Sequence, residues 1–357
     1  MKIINKIKRH LGLYLILALI ISSFTGCAGS NAKADEKTDS PVKTDGTDNA
    51  GKELRTVRIG FMTGAADLYA SIIGQEEGIY EKHGIKLEAT EYPYGINTVD
   101  AIVNGTSDLG MVADFAGVNR IGNTLEHNKL VFFAELSVSN ATTGGLYVAP
   151  EYADDISKLE NSAGWITSIG TRSEYSNWYA QNALGLDPDK QKVVNTDSTA
   201  TALAAATNGD ASAVVASGSQ GKKYEELGWK LVASSNDISA ITGSYLVADK
   251  DYVSENADVL ADYLAALDES IKYISDHLDD VANRLSAKLG VDPDNFKADW
   301  KTPTYVIGFT EDGVKNLENI AEWAVTHGKY EKAYNVRDYV LTTAVEKAFP
   351  DRVTIAK

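Results

Sequence analysis

Cysteine is almost absent from this chain, since Cys27 is the only one among 357 residues. A single cysteine excludes an internal disulfide, a zinc site built from several cysteines and an iron–sulfur cluster. Histidine is sparse as well, and the four histidines after Cys27 have none of the spacings typical of metal ligands, such as H-E-x-x-H. The sequence therefore predicts no metal site.

The motifs of several common enzyme classes are also missing. The stretch 218–221 (GSQG) lacks the leading glycine of a nucleophile elbow, and the stretch 292–295 (DPDN) lacks the glycine and the terminal glutamate of a calcium loop. Neither the phosphate-binding G-x-x-x-x-G-K-[ST] nor the dinucleotide-binding G-x-G-x-x-G occurs. We therefore expect neither catalytic residues nor a cofactor.

Positive charge is in deficit, with 34 Lys and Arg against 50 Asp and Glu. Four of the cations lie within the first 26 residues, so the rest of the chain is more acidic still. Such a surface repels phosphate backbones, and we expect no nucleic-acid partner. The length allows one large domain or two ordinary ones.

The first 27 residues have the pattern of a secretory signal. A basic segment precedes an apolar run from Leu11 to Phe24, which is shorter than the roughly 20 residues that a membrane-spanning helix needs. The run ends in Phe24-Thr25-Gly26-Cys27, which resembles the bacterial lipobox except that Phe24 stands where leucine is usual. We predict a lipoprotein signal peptide over residues 1–27 with lipid on Cys27; the alternative is an uncleaved membrane anchor.

Residues 28–54 are polar and nearly free of large apolar side chains. Such a segment cannot bury enough apolar surface to fold, so we predict a disordered tether there. The folded body should then extend from Arg55 to about Lys357. We expect it to be extracytoplasmic, anchored by the lipid to the outer face of the cell membrane.

Strand-like and helix-like patterns alternate in the folded body. Residues 56–61 alternate as a strand, residues 68–73 continue as a helix, and residues 85–89 read as the next strand. This alternation is typical of an α/β fold, and we expect its sheets to be largely parallel.

A weak internal repeat suggests two similar lobes. A helix over 98–105 that ends in Asn-Gly precedes a strand at 109–113, and a helix over 201–209 that also ends in Asn-Gly precedes a strand at 213–216. Asp114 follows the first strand and Ser217 follows the second. This pattern is common in α/β proteins generally; alternatively, the two strand ends face each other across a cleft, where open α/β sheets bind ligands.

Two lobes would require one to be inserted into the other, because no linker-like stretch interrupts residues 55–357. The chain would cross between them near residues 139–144 and 237–243. We therefore expect lobe I to comprise residues 55–141 and 246–357, and lobe II to comprise residues 142–245.

The junction at residues 169–175 could hold an anionic group. Small residues there leave backbone N–H groups accessible, and the dipole of the following helix favours negative charge. Thr171, Arg172 and Ser173 would form the anion corner. Alternatively, Ser173 only caps its helix and Arg172 lies on the surface. Residues 60–66 form a similar junction before the first helix.

Acidic residues near the same strand ends argue against a bare anion as ligand. Asp67 and Glu174 have an alternative role as first-turn partners of a helix dipole, whereas Asp114 at a strand end has none. A carboxylate in a cleft requires a cationic or hydrogen-donating group, so Asp114 is a candidate contact. Tyr175 and Tyr245 could pack against an apolar part of the ligand.

Four stretches together resemble the nitrate/sulfonate/taurine (NitT/TauT) family of ABC-transporter substrate-binding proteins. They are residues 57–61 (VRIGF), 76–85 (EEGIYEKHGI), 102–110 (IVNGTSDLG) and 185–188 (GLDP). The resemblance covers about residues 55–350. It implies a periplasmic-binding-protein type II fold, in which two α/β lobes joined by a two-crossing hinge close over one solute.

The resemblance also implies partners and a binding site. The partners are a small-molecule ligand and the permease and ATPase subunits of an importer, and the binding protein itself is a monomer. Family contacts map onto the following residues: Gly64, Ala65, Asp114, Thr142, Thr143, Thr171, Ser173 and, through the repeat, Ser217. To these we add the neighbouring candidates Arg172, Glu174, Tyr175 and Tyr245.

We expect the ligand to be a sulfonate or a taurine-like compound. The helix start at Ser173 would hold the sulfonate, and Asp114 would hold an amine. A nitrogen heterocycle, such as a pyrimidine precursor of thiamine, is the alternative and would stack on Tyr175 or a neighbouring aromatic ring. A pyrimidine synthase on the same fold is disfavoured, because the cysteine-rich motif of those relatives is missing.

Overall fold

A computed structural model describes residues 53–63, 65–125, 129–139, 144–235, 237–238 and 242–356, which belong to one compact unit. The predicted signal peptide, Cys27 and residues 28–52 of the predicted tether lie outside the described residues, as do Gly64, Thr142 and Thr143. Across the described ranges, no helix is long and apolar enough to cross a membrane.

The described residues form eleven strands and thirteen α-helices. The strands are β1 (Arg55–Met62), β2 (Ile85–Tyr92), β3 (Leu109–Ala113), β4 (Leu130–Ser139), β5 (Gly144–Val148), β6 (Trp165–Thr167), β7 (Val193–Asn195), β8 (Ala213–Ser217), β9 (Lys230–Ser234), β10 (Gly243–Asp249) and β11 (Pro303–Gly308). The helices are α1 (Ala66–Glu76), α2 (Ile79–Lys82), α3 (Gly95–Val103), α4 (Asp114–Thr124), α5 (Arg172–Ala183), α6 (Thr199–Asn208), α7 (Gly218–Glu226), α8 (Lys250–Glu255), α9 (Ala257–Asp276), α10 (Leu278–Leu289), α11 (Pro293–Trp300), α12 (Glu311–Thr326) and α13 (Thr343–Ala348).

The described strands form two sheets, which confirms the predicted two-lobed α/β class. The first sheet has the order β11-β4-β10-β3-β1-β2, and the second has the order β7-β6-β8-β5-β9. We call the elements of the first sheet and its helices lobe I, and β5 to β9 with α5 to α7 lobe II. The chain passes from lobe I to lobe II between β4 and β5, and returns between β9 and β10.

The expectation of largely parallel sheets is wrong, because both sheets are mixed. β1 is parallel to β2 and β3, but β10 is antiparallel to β3 and β4. In the second sheet, β5 is antiparallel to β8 and β9. The inserted lobe explains the difference: the chain leaves through β4 and comes back through β10, so these neighbours run in opposite directions without a crossover helix.

The helix–strand repeat predicted from the sequence is present, and its two copies lie in different sheets. α3 and β3 form the first copy, and α6 and β8 form the second. Gly209 ends α6 with a φ of +76°, the left-handed conformation in which glycine is favoured. In the return crossing, Ser244 and Tyr245 already pair with β3, so β10 begins before the boundary predicted at residue 245.

A buried apolar core between β1 and α9 holds the first sheet in place. Val57, Ile59 and Phe61 on β1 are fully buried, and they belong to the same core as Leu260 and Leu264 on α9. A period of two on the strand and a spacing of four on the helix bring these residues onto facing surfaces. The C-terminal ends of β1 and β3 are thereby held side by side at one edge of the first sheet.

Candidate functional site

Asp114 is the fully buried centre of the candidate site. It follows β3 as the first residue of α4, and its Oδ1 accepts a hydrogen bond from the N–H of Phe115 at 2.7 Å. Its Oδ2 accepts from the backbone N–H of Gly243 and from Nδ2 of Asn316, each at 2.8 Å. A buried carboxylate is tolerated only when it is paired and hydrogen-bonded in this way.

Arg172 of lobe II completes the environment of Asp114. Its guanidinium Nη1 forms an ion pair with Asp114 Oδ2, and its Nε donates to Ser176 Oγ at 3.3 Å. The Arg172 side chain is 13% exposed, so the alternative that it lies on the surface is wrong. Because the two partners belong to different lobes, the ion pair ties the start of α5 to the start of α4.

Thr171 and Ser173 organise the turn before α5. Thr171 is the N-cap, and its Oγ1 accepts a hydrogen bond from the N–H of Ser173 at 3.2 Å. Ser173 Oγ accepts instead from the N–H of Ser168 at 3.2 Å. The alternative that Ser173 caps its own helix is therefore wrong, and both hydroxyl groups support the turn that presents Arg172.

Glu174 forms a second ion pair between the lobes. Its Oε1 pairs with Nζ of Lys329 in lobe I, and its Oε2 accepts from the N–H of Gly170 at 3.0 Å. Both side chains of the pair are 23% exposed. The start of α5 thus carries one cation, Arg172, and one anion, Glu174. Each of them forms an ion pair with a side chain of opposite charge in lobe I.

The two predicted aromatic residues are packed into a core. The ring of Tyr175 lies 5.4 Å from that of Trp323 and 6.0 Å from that of Phe115, both in lobe I, and its burial raises the pKa of its hydroxyl. Tyr245 is fully buried, and its hydroxyl donates to the carbonyl oxygen of Gly313 at 3.1 Å. Tyr175 therefore acts as an anchor between the lobes.

The remaining described candidates, Ala65 and Ser217, lie at the starts of α1 and α7. Each occupies an N-cap position without a side-chain capping bond. Their neighbours Ala66 and Ser219 line a cavity of about 440 Å³ between the lobes. The structure thus brings Asp114, Arg172, Glu174 and Tyr175 together, and places Ala65 and Ser217 beside this cavity.

Asp67, in the first turn of α1, is a buried carboxyl group with few partners. It is 1% exposed; Oδ2 lies 3.5 Å from the hydroxyl of Ser244, and Oδ1 has no hydrogen-bond partner among the described residues. Burial raises the pKa of Asp67 to about 7. Asp67 and Asp114 thus contact the consecutive residues Ser244 and Gly243, where the chain returns to lobe I.

Sequence reasoning missed several residues of this site. Asn316 and Lys329 come from α12 and the segment after it, and neither belongs to a recognisable motif. Gly243 lies at the predicted second crossing, so the hinge pattern could have identified it. Among the described residues, no group of three His, Cys, Asp or Glu side chains is arranged to hold a metal ion.

Comparison with known proteins identifies the architecture. No protein-family model and no curated protein matches the sequence. The periplasmic aliphatic sulphonate binding protein SsuA of Escherichia coli matches with a TM-score of 0.68 and 16% identity, over 83% of this chain and 99% of that one. The chain has the periplasmic-binding-protein fold.

Two further solved structures with this fold support the assignment. The alkanesulfonate-binding protein SsuA of Xanthomonas axonopodis pv. citri bound to MOPS has a TM-score of 0.63 and 14% identity, over 80% of this chain and 98% of that one. The periplasmic nitrate-binding protein NrtA of Synechocystis PCC 6803 has a TM-score of 0.64 and 14% identity, over 83% of this chain and 88% of that one. The fold implied by the sequence resemblance is thereby confirmed.

Proposed function

We propose that this protein is the extracytoplasmic solute-binding component of an ABC importer. It captures a small organic solute between its lobes and delivers it to permease and ATPase subunits, as a monomer held at the membrane by lipid on Cys27. The observation that carries the proposal is the Arg172–Asp114 ion pair, which joins the helix starts of the two lobes. Ligands of open α/β sheets bind at such strand ends.

The polarity of this ion pair favours a zwitterionic solute such as a taurine-like sulfonate. A solute that enters between the two side chains separates a buried pair, and leaving either charge uncompensated costs about 3–5 kcal/mol. A sulfonate can accept from Arg172 while an ammonium group donates to Asp114, so one solute replaces both partners. Hydrogen bonds to charged groups contribute roughly 1.5–3 kcal/mol each.

Solutes with only one of these charges fit less well. A bare anion such as nitrate would satisfy Arg172 but leave Asp114 with the neutral donors of Phe115, Gly243 and Asn316 and without a cation. A nitrogen heterocycle would need an open aromatic face, and Tyr175 is packed against the rings of Phe115 and Trp323. Both alternatives therefore have less support than the zwitterion.

A matched set of solutes tests the proposal on residues 54–357, refolded from denaturant to remove bound ligand. Taurine is compared with ethanesulfonate, which lacks the amine, with ethylamine, which lacks the sulfonate, and with nitrate and pyrimidines. A ligand at about 100 times its Kd stabilises by roughly 2.7 kcal/mol, which raises Tm by a few degrees. We expect a shift with taurine and a smaller one with ethanesulfonate; a shift with pyrimidines alone would favour the heterocycle.

A variant separates the role of Asp114 from general effects on the fold. In calorimetry, Asp114→Asn should weaken taurine binding by roughly 1–3 kcal/mol, because the charge-assisted bond to the amine is lost. Asp100→Asn is the matched control, since Asp100 forms an ion pair with Arg120 within lobe I. Equal taurine affinities of Asp114→Asn and the parent protein would refute the role of Asp114.

A further inference from the structure

The cavity between the lobes has a wall in each lobe, and Asp114 and Arg172 of the proposed ion-pair site are not among its lining residues. Lobe I contributes residues of the β1–α1 junction and of α11, and lobe II contributes the starts of α6 and α7. Asp299 of α11 and Ser219 of α7 are among the lining residues, and Gly218 precedes Ser219. The volume of about 440 Å³ is in the range of small-molecule sites.

A hydrogen bond joins the two walls from one lobe to the other. Asp299 Oδ1 accepts from the backbone N–H of Ser219 at 2.8 Å. Ser219 is in the first turn of α7, whose own N-cap residue, Ser217, makes no side-chain capping bond. The carboxylate of lobe I therefore supplies the capping acceptor that the helix of lobe II does not supply for itself.

Gly218 permits the close approach that this bond requires. It has a φ of +55°, and a Cβ atom built on it would lie 2.3 Å from Asp299 Oδ1. No side chain could be accommodated there unless Asp299 or the start of α7 moved. The glycine and the carboxylate thus fit each other only when the two lobes are together.

We propose that Asp299 is a positioning residue that holds lobe II against lobe I and favours the arrangement in which the two lobes are closed. The role in solute capture rests on the proposed function, whereas the contact itself does not. Because the bond exists only when the lobes meet, it stabilises the closed arrangement relative to the open one. A contact made in one state alone shifts the equilibrium between two states by its own free energy.

Amide hydrogen exchange of residues 54–357 tests the contact without any solute. In Asp299→Ala, we expect the amide of Ser219 to exchange roughly 5-fold faster, in line with the loss of one helix cap. Asp299→Asn keeps an acceptor oxygen and should restore most of the protection. Asp294→Ala, on the same helix, should leave Ser219 unchanged, and a peptide covering β9 should exchange equally in all variants. Unchanged exchange in Asp299→Ala would overturn the proposal.

The distance between the lobes tests the closure. Residues 54–357 contain no cysteine. Spin labels will therefore attach only to the two cysteines that replace Glu226 and Asp294. We expect the Asp299→Ala distance distribution to shift towards longer values, and Gly218→Ala to have a similar effect. Adding Asp299→Ala to Gly218→Ala should then produce little further change, since both disrupt the same contact and the backbone strain of an alanine at this positive φ is common to both backgrounds.

The outcomes distinguish this inference from the proposed function. Faster exchange at Ser219 together with a longer distance supports closure by Asp299. Faster exchange with an unchanged distance reduces Asp299 to a local cap and overturns the closing role, as does full additivity of the two substitutions. None of these results depends on whether taurine binds, and a failure of taurine to bind would leave them interpretable.

Discussion

The contribution of Asp67 to the stability of this protein should decrease as the pH rises from about 4 to 7. Burial raises the pKa of its carboxyl group from 3.8 to about 7 in the folded protein. Between these two values the folded state holds a proton that the unfolded state has released. Raising the pH then favours the unfolded state, and the loss of stability is complete above pH 7.

The size of the effect follows from the shift in pKa. A difference of about three units corresponds to ~4 kcal/mol at about 1.4 kcal/mol per unit. Asp67→Asn is neutral at every pH and similar in shape, so it should lack this dependence and be more stable than the parent protein at pH 8. Glu135 is also buried, and its desolvation raises its pKa, so a smaller slope of the same sign should remain.

Urea unfolding of residues 54–357 at pH 5, 6, 7 and 8 measures these differences. Asp279→Asn serves as the control, since Asp279 is also in the first turn of a helix but its side chain is 88% exposed. We expect the control to follow the parent protein and Asp67→Asn to have the flatter profile. Parallel profiles for Asp67→Asn and the parent would refute the argument from burial.

Three further predictions concern packing and charge. Arg172→Met should lower the free energy of unfolding by about 3–5 kcal/mol in urea, because Asp114 is left buried without its cation; equal stability would mean that the pair does not form in solution. Gly117→Ala should cost about 1–3 kcal/mol, since the new Cβ would lie 2.5 Å from a ring carbon of Phe132, and an unchanged Tm would contradict this. Lys329→Met should cost at most about 1 kcal/mol, because its pair is partly exposed; a larger loss in urea would show that the pair is better shielded.

Local sequence patterns predicted those elements in which a short apolar run is bounded by turn residues. The strand at 109–113 was predicted with its observed bounds, because a short apolar run after Asn-Gly has few alternatives. The sheet directions were not predictable in the same way. Whether β10 pairs with β3 and β4 as an antiparallel strand depends on the path of the inserted lobe, and no pattern within residues 243–249 encodes that path.

The sequence predicted individual residues of the candidate site but not the contacts between them. Asp114 was expected to contact an amine and Arg172 to hold an anion, and the structure joins the two to each other. They are 58 residues apart in the chain and in different lobes, so their pairing depends on how the lobes meet. Asn316 on α12 and Lys329 in the segment after it lie still farther along the chain, and neither belongs to a recognisable motif.

Under the proposed function, the charges across the interface favour a solute without net charge. Arg172 and Glu174 of lobe II lie two residues apart on α5. Arg172 pairs with Asp114 of lobe I, and Glu174 pairs with Lys329 of lobe I. The four charges cancel, so a solute that replaces either pair must carry both signs to avoid leaving a net charge in a low-dielectric site. The Arg172–Asp114 pair is the more buried of the two, and separating it without replacement is the costlier step. At the Arg172–Asp114 pair, a zwitterion meets this condition with its anion towards lobe II and its cation towards lobe I, whereas the reversed orientation would suit only the Glu174–Lys329 pair.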